Sequence, residues 1–300
     1  MKKLLFNTNS NPDLARTLTR RTELTIGNCE IKKFADQEVS VYLKEDVTNQ
    51  SVCVLGSTFP PADNILELLI LIHTLKANRV KEIDLIIPYF AYAKADKVKP
   101  RGASMTAQLM TQAIELAGAD KITAINLHSK LTEEFFTKPL EHLSATPLLA
   151  EYFKKSKFEK IAVASPDLGG VSRAQHFAKE LGINEIIRIE KHRPAFDELE
   201  ITQISGEVKG KNIVIVDDMT QSGGTLIKAA QALKKQGAKK IYVAITHLVS
   251  TGPCVSALEH ERSIKKVITT DTIPSQKRLS SKFEILPIAS LLSNAIKKQL

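Results

Sequence analysis

The 300-residue sequence has no tryptophan, only 5% aromatic residues and just three cysteines. Cys29, Cys53 and Cys254 are odd in number, far apart and free of any C-x-x-C spacing. That pattern excludes a disulfide framework and a cysteine zinc site and leaves buried thiols as the default. Nor is any apolar run long enough to span a bilayer, since the richest, Ile65–Leu75, contains Glu67 and His73. The opening MKKLLFN passes at once into polar NTNSNPD, so no signal-peptide core forms and a cytoplasmic location is expected, with no membrane partner. The formal charge of +9 invites a nucleic-acid reading. The lysines are scattered, however, and no RNA-binding aromatic signature accompanies them, so no nucleic-acid partner is expected. An anionic small substrate, or simply solvated lysine-rich faces, accounts for the charge. What is present is 43% hydrophobic residues, enough for one large soluble domain or two of ordinary size.

The most informative stretch is NIVIVDDMTQSGGTLIKAAQALKKQG, Asn212 to Gly237. Its apolar run Ile213–Val216 predicts a buried strand, and the amphipathic run closing at Gly237 predicts a helix with a glycine stop. Asp217 and Asp218 then fall at the strand's carboxyl end. Thr220, Gln221, Ser222, Gly223, Gly224 and Thr225 turn the chain into the helix. A small-residue turn at a helix N-terminus presents backbone N–H groups to a phosphate. The two aspartates would repel that phosphate, so they suit sugar hydroxyls or a hydrated cation beside it. A ribose phosphate combines both demands. The plain alternative is an ordinary strand-to-helix connection with an N-cap.

Along the chain, strand and helix patterns alternate. The first half gives a strand at KLLFN, a helix over residues 12–20, a strand alternating at Val39, Val41 and Leu43, and another strand at 51–57. A helix over 63–78 follows, with apolar positions Ile65, Leu68, Leu69, Ile72 and Leu75. Then come a strand at EIDLIIPYF, a helix over 104–116 stopped by Gly118, and a strand KITAINLH ending at His128. The second half repeats the plan through KIAVASPD, GGVSRAQHFAKELG, IIRIEK, NIVIVDD, GTLIKAAQALKKQG and KIYVAITH. Two tandem α/β domains are expected, residues 1–145 and 146–300, each a mainly parallel sheet flanked by helices with right-handed crossovers.

Four further stretches carry chemistry-bearing residues, each with a plainer reading. Phe34–Glu38, FADQE, is a polar turn. YAKADKVKPRG is either a solvated charge run or a clamp for nucleotide phosphates. Asp167, in SPDLGGVSRA, ends a strand where a carboxylate could bind magnesium, with Gly169 and Gly170 allowing close backbone approach, or the stretch is an ordinary strand–turn–helix. Lys191 and Arg193 follow a strand and precede a polar segment, as in a mobile phosphate-gripping loop or an exposed hairpin.

VIVDDMTQSGGTL resembles the phosphoribosyl-pyrophosphate (PRPP) loop of the phosphoribosyltransferase fold. The other stretches, in the same order, resemble motifs of the ribose-phosphate pyrophosphokinases, or PRPP synthetases. FADQE is similar to their F-S-D-G-E loop, with Gln37 replacing glycine, and YAKADK stands where they carry YARQDR, with Lys94 and Lys97 for arginines and Ala95 for glutamine. NLH matches D-L-H except at Asn126, SPDLGGVSRA matches SPDxGGVxRA, FFTKPLEHL matches FFDIPVDHL, and EKHRP matches D-K-R-R-P with His192 for an arginine. The resemblance covers nearly the whole chain.

It implies transfer of the β,γ-diphosphoryl group of ATP to the C1 hydroxyl of ribose 5-phosphate, giving PRPP and AMP. Phe34, Asp36, Glu38, Lys94, Asp96, Lys97 and His128 would belong to the ATP site, shared between subunits of a homo-oligomer that is dimer-based and up to a hexamer. Asp217, Asp218 and Thr220–Thr225 would hold ribose 5-phosphate, His128 and Asp167 would serve magnesium, and Lys191 and Arg193 would be catalytic. The departures at Gln37, Lys94, Ala95, Asn126 and Gln221 keep open a second class, a non-catalytic regulatory or nucleotide-binding relative. They also raise the expectation of altered nucleotide preference.

Overall fold

A computed structural model describes residues 3–156, 158–192, 200–275 and 278–299. The chain divides into two units. The first comprises Met1–Ser144 with Thr272–Pro274 and Ile288–Leu300, and the second Ala145–Asp271 with Ser275–Pro287. The first break in the chain thus lies beside the expected 145/146 division, but the C-terminal residues from Ile288 belong with the first unit.

In the first unit a six-stranded parallel sheet has the order β2-β1-β5-β6-β7-β8. Its strands are β1 (Leu4–Asn7), β2 (Thr25–Ile26), β5 (Ser51–Leu55), β6 (Glu82–Ile87), β7 (Lys121–Ile125) and β8 (Leu140–Leu143). A two-stranded hairpin, β3 (Cys29–Lys33) and β4 (Val39–Leu43), stands apart from it. The strand at 39–43 is as expected, but its partner β3 is not legible in the mixed run CEIKK, whose side chains are half-buried to exposed. Helix α1 (Pro12–Arg21) starts with proline at its first position, where the missing N–H costs nothing. Helix α2 (Asp63–Ala77) buries Ile65, Leu68, Leu71, Ile72 and Leu75. Leu71 rather than the expected Leu69 is fully buried, because the helix is apolar nearly all round and the tertiary neighbours choose the face. Helix α3 (Thr106–Ala117) ends at Gly118, whose φ of 121° continues the chain where a Cβ would be strained.

The second unit is a seven-stranded sheet of order β11-β10-β9-β12-β13-β14-β15, parallel except for the β10/β11 pair. Its strands are β9 (Ile161–Ser165), β10 (Ile186–His192), β11 (Glu200–Ser205), β12 (Asn212–Thr220), β13 (Lys240–Leu248), β14 (Ile264–Thr270) and β15 (Phe283–Leu286). Central β12 is buried on both faces, as its continuous Ile-Val run requires in a parallel sheet. Alternation sorts its side chains by face. Ile213 and Ile215 pack with Leu226, Ala229, Ala230 and Leu233 of α7 (Gly224–Lys235), while Val214 and Val216 pack with residues of α5 (Thr146–Lys155) and α6 (Val171–Glu180). Truncating a buried leucine such as Leu233 to alanine would cost roughly 2–5 kcal/mol.

Three local expectations are corrected. Strand β12 runs past Val216 to Thr220, because β13 continues to pair with it through Thr220↔Leu248. Strand β7 ends at Ile125 rather than His128, since Asn126 turns the chain with a φ of 43° and a short helix α4 (Lys130–Glu134) follows. Lys191 lies within β10 instead of after it, because antiparallel β11 pairs with it through Lys191↔Ile201. The remaining helices are α8 (Cys254–His260) and α9 (Ala289–Gln299).

Candidate active site

The second unit's strand order reverses at β9 and β12. The chain leaves β9 for β10 and β11 on one side, then returns to place β12 on the other. In an open α/β sheet the crevice at such a switch point, outside the carboxyl ends of the strands, is where ligands bind. Asp167 follows β9, and Asp217 and Asp218 lie among the last four residues of β12.

Between them the structure adds a residue that the sequence reading leaves without a role. Arg173, in the first turn of α6, reaches Asp217 Oδ1 through Nη1 at 2.6 Å and Asp218 Oδ1 through Nη2 at 3.3 Å. All three side chains are largely buried. Gly170 lets the helix begin this close, since a Cβ there would stand 2.9 Å from Ser165 Oγ and 3.3 Å from Arg173 Nη1. The signal was available as the arginine inside SPDLGGVSRA, six residues beyond Asp167.

One guanidinium cannot neutralise two carboxylates. Burial first, and then the charge of Asp218, push the Asp217 carboxyl up to about 8, against the pull of Arg173. Asp217 Oδ1 also accepts the Asp218 N–H at 2.9 Å. Asp167 shows the opposite balance. Burial opposes its ionisation, but Lys191, the Gly170 N–H and Arg173 together outweigh that and hold it below the usual carboxylate range. Lys191 Nζ donates to Asp167 Oδ2 at 3.0 Å, and Gly170 N–H donates to Oδ1 at 2.9 Å. The lysine side chain is 9% exposed and the aspartate 41%, so the cation is held from below and the carboxylate keeps an open side. Arg193 lies outside the described residues, and so does the side chain of His192.

The turn from β12 into α7 is built by its own hydroxyls. Thr220 Oγ1 accepts the Gly223 N–H at 3.1 Å and Ser222 Oγ accepts the Gly224 N–H at 3.4 Å. Gly223 has a φ of 81°, and a Cβ there would stand 3.2 Å from Leu258 Cγ. That conformation lets α7 start at Gly224, with Thr225 in a first turn whose N–H groups lack intrahelical acceptors. Gln221 and Ser222 are exposed, and the Gln221 carbonyl accepts from Thr251 N–H at 2.8 Å and Oγ1 at 3.0 Å. The expected strand, acidic pair and N–H-rich turn are therefore contiguous, and the arrangement suits a phosphate beside a hydroxylated group.

The first unit holds the remaining expected residues in two groups. Phe34–Glu38 caps the β3/β4 hairpin, where Phe34 N–H donates to the Glu38 carbonyl at 2.9 Å and Asp36 Oδ1 accepts the Glu38 N–H at 3.1 Å. Phe34 is 53% exposed. Gln37 sits at a φ of 74°, a left-handed position that explains why glycine suits the related motif. In the second group Lys94 and Lys97 are exposed on either side of buried Asp96, whose Oδ2 accepts from Ser129 Oγ at 2.6 Å. Ser129 is also the N-cap of α4, directly after half-buried His128. This joins the basic loop to the His128 segment. His142 fixes the same segment, because its Nε2 accepts the Leu127 N–H at 2.9 Å while Nδ1 faces Glu133 Oε1 at 3.0 Å. Among the described residues no cluster of three or more His, Cys, Asp or Glu could hold a metal alone.

Residues 3–118 match the family model described as the N-terminal domain of ribose phosphate pyrophosphokinase, and residues 132–278 match the phosphoribosyl transferase domain. A ribose-phosphate pyrophosphokinase of Chlorobaculum tepidum is 38% identical over 96% of this chain and 89% of its own length. One of Bacillus subtilis is 35% identical over 97% of this chain and 92% of its own. The crystal structure of phosphoribosylpyrophosphate synthetase from Mycobacterium smegmatis superimposes with a TM-score of 0.92 at 31% identity, covering 99% of both chains.

Proposed function

Because the chain belongs to the ribose-phosphate pyrophosphokinase family and is a diphosphotransferase that moves the β,γ-diphosphoryl group of ATP to the C1 hydroxyl of ribose 5-phosphate, we propose the following division of work among its residues. The β12–α7 turn, Thr220 to Thr225, takes the 5-phosphate on its N–H groups. Asp217 and Asp218, held by Arg173, accept hydrogen bonds from the ribose hydroxyls. Lys191 and Arg193 neutralise charge developing on the transferring phosphates. The observation that carries this reading is the buried Asp217–Arg173–Asp218 cluster beside a hydroxyl-braced N–H turn at the switch point.

In the first unit, Phe34, Asp36, Glu38, Lys94, Lys97 and His128 serve ATP, with Asp96 keeping the two lysines on a fixed loop through Ser129. The hairpin tip fits a site completed by a second copy of the chain, since Phe34 is exposed there, and the assembly is at least dimeric, up to a hexamer. A mass measurement by light scattering reads this directly. The chain acts in the cytoplasm. Among the described residues no helix is long and apolar enough to cross a membrane.

Magnesium fits the donor set. Asp167 is held below the usual carboxylate range, has an open side and offers hard oxygens, which suits a cation that keeps waters and takes its other ligands from substrate phosphates. His128 belongs to the magnesium–ATP contacts of the first unit. When bound, the cation supplies neutralisation of phosphate oxygen charge. Lys191 shares Asp167 Oδ2 with that role, so the carboxylate sets how freely the lysine charge reaches a phosphate.

The decisive test mixes the full-length protein with ATP, ribose 5-phosphate and magnesium and follows AMP and PRPP, which should appear in equal amounts. No AMP with any of several nucleoside triphosphates would install the regulatory reading instead. Equal turnover with ATP and GTP would tie the changes at Gln37, Lys94 and Ala95 to donor preference, and strict ATP dependence would separate them from it.

A further inference from the structure

At the amino edge of the second unit's sheet, opposite the aspartates, lies a cavity of about 600 Å³. It opens around the first residues of β13 and β14 and the segment before β15. The length of β13, eight residue steps, separates it from the carboxyl edge by roughly 26 Å. Of its fourteen lining residues seven are Lys or Arg and none is Asp or Glu. A solvated surface usually mixes charges of both signs, so this one-sided lining calls for an explanation.

Three of the cations have structural employment. Lys234 Nζ donates to the carbonyls of Ala238 and Lys239, at 3.1 and 2.9 Å, and so closes the end of α7. Lys282 Nζ donates to the carbonyls of Glu259 and Glu261, at 3.1 and 2.6 Å. Lys266 pairs with Glu284 at 2.7 Å and lies over the Tyr152 ring, 5.8 Å from its centroid. The other four, Lys239, Lys240, Arg262 and Lys265, are exposed and carry no ion pair among the described residues. Nearby Glu261 is occupied by Gln231 Nε2 at 2.6 Å and the Ser263 N–H at 2.8 Å. Burial lowers the Lys282 pKa, with Glu261 and Glu259 opposing, so its charge too gains from an anion.

The cavity also has an aromatic wall. Phe158 stands 4.6 Å from Tyr242, centroid to centroid, and both line the space together with Tyr152. Four unpaired cations call for a multiply charged anion, and half-buried Phe158 offers apolar surface to a group attached to it. We propose that this cavity is a second, non-catalytic anion site that binds the phosphate chain of a small molecule. The chain could be free or attached to a nucleoside, and the two sources are separable by experiment. The site needs no residue assigned to the reaction, so it stands independently of the roles proposed above.

Site-resolved lysine reactivity on the full-length protein tests it. Acetylation of Lys239, Lys240 and Lys265 is followed by peptide mass spectrometry while inorganic tripolyphosphate, ATP or adenosine is titrated in. Tripolyphosphate and ATP should each protect these lysines by about fivefold or more at low salt, less at high salt, and adenosine should not. ATP saturating at roughly tenfold lower concentration than tripolyphosphate identifies a nucleotide site, and equal midpoints identify a site for the bare chain. Lys240→Ser combined with Lys265→Ser should abolish protection at Lys239 with kcat unchanged, and Lys179→Ser, on α6 and outside the cavity lining, should leave it intact. The idea fails if neither phosphate protects, if Lys179→Ser weakens protection as much as the double variant, or if single-stranded RNA protects where both small anions do not.

Discussion

The two sheets have comparable switch points, filled by different chemistry. In the first unit the order reverses at β1 and β5, and the crevice is closed by groups that satisfy one another: buried Glu67 accepts the Asn9 N–H at 3.0 Å and its side-chain amide at 3.1 Å, and hydroxyls and carbonyls close the rest. Thr8 Oγ1 and Ser10 Oγ are 2.7 Å apart, the Ser57 N–H donates to Ser10 Oγ at 2.9 Å, and Ser57 Oγ donates to the Thr272 carbonyl at 2.8 Å. All are buried, and at Gly56 a Cβ would stand only 2.9 Å from Leu68 Cδ1 and 3.0 Å from Thr8 Oγ1. In the second unit the equivalent position holds Asp167, Arg173, Lys191, Asp217 and Asp218, with Asp167 open to solvent. Topology thus provides a crevice in each unit. Whether it binds a ligand depends on whether its polar groups satisfy one another or retain unbalanced charge.

The contrast is sharpest at Lys191. If the second crevice is the reactive one, Lys191→Ala should lower kcat by about 10³ or more while the KM for ribose 5-phosphate stays nearly constant, the split expected of a group that acts on the transition state. Steady-state kinetics at saturating magnesium reads both, and a near-normal kcat removes Lys191 from the chemistry. The next effect is a pH dependence. Asp217 has its pKa raised to about 8, so it is mostly protonated at neutral pH and becomes a full acceptor for ribose hydroxyls only above that. Ribose 5-phosphate should therefore bind up to about tenfold tighter near pH 9 than near pH 7, since the phosphate's own second ionisation, near pH 6, is already complete. The same shift makes the unit less stable as pH rises from the unfolded carboxyl value toward 8, because only the unfolded state ionises freely in that window. Calorimetry on the wild type and on Asp217→Asn measures both, and matching pH profiles would remove the buried acid from the account.

The first crevice predicts a different kind of loss. Ser57→Ala leaves the Thr272 carbonyl without its hydroxyl donor and should cost on the order of 1 kcal/mol of stability. Its kcat should remain within about twofold of the wild type, since nothing ionisable changes. Denaturant titration beside a rate assay tests this, and a large fall in kcat without loss of stability would mean that this crevice also meets a ligand.

Much of this was legible beforehand, for reasons that also explain the exceptions. The Ile213–Val216 run, the acidic pair and the Gly-Gly turn are consecutive in sequence, so local chemistry determines their arrangement. Arg173 could not be assigned in that way, because its partners are forty-four and forty-five residues further along and only the β9/β12 adjacency brings them within reach. Lys191 was expected in a loop and lies in a strand, since its pairing depends on β11, a polar edge strand with no strong alternation of its own. The extension of β12 to Thr220 likewise depends on β13. The C-terminal helix belongs with the first unit although its sequence follows the second, and nothing in residues 289–299 indicates a partner on the far side of the chain.

Gln221 gives the smallest expected effect and the finest test of the charged crevice. Gln221 is one of the chain's departures from the motifs it resembles, and an amide can serve neither as a general base nor as an anionic metal ligand. In the structure the residue is held by its carbonyl, which accepts twice from Thr251, and its exposed side chain has no partner among the described residues. A side chain held so loosely is poorly placed for proton transfer, where distance is decisive. Gln221→Asp should accordingly leave kcat within about twofold. The added charge lies in solvent beside the turn proposed for the 5-phosphate, so repulsion of about 1 kcal/mol or less should raise the KM for ribose 5-phosphate by a fewfold at most. Screening should erase even that as salt approaches about 1 M, where the Debye length is roughly 3 Å. A salt-independent rise in kcat, or an altered magnesium requirement, would instead show that the amide had suppressed a function the acid supplies.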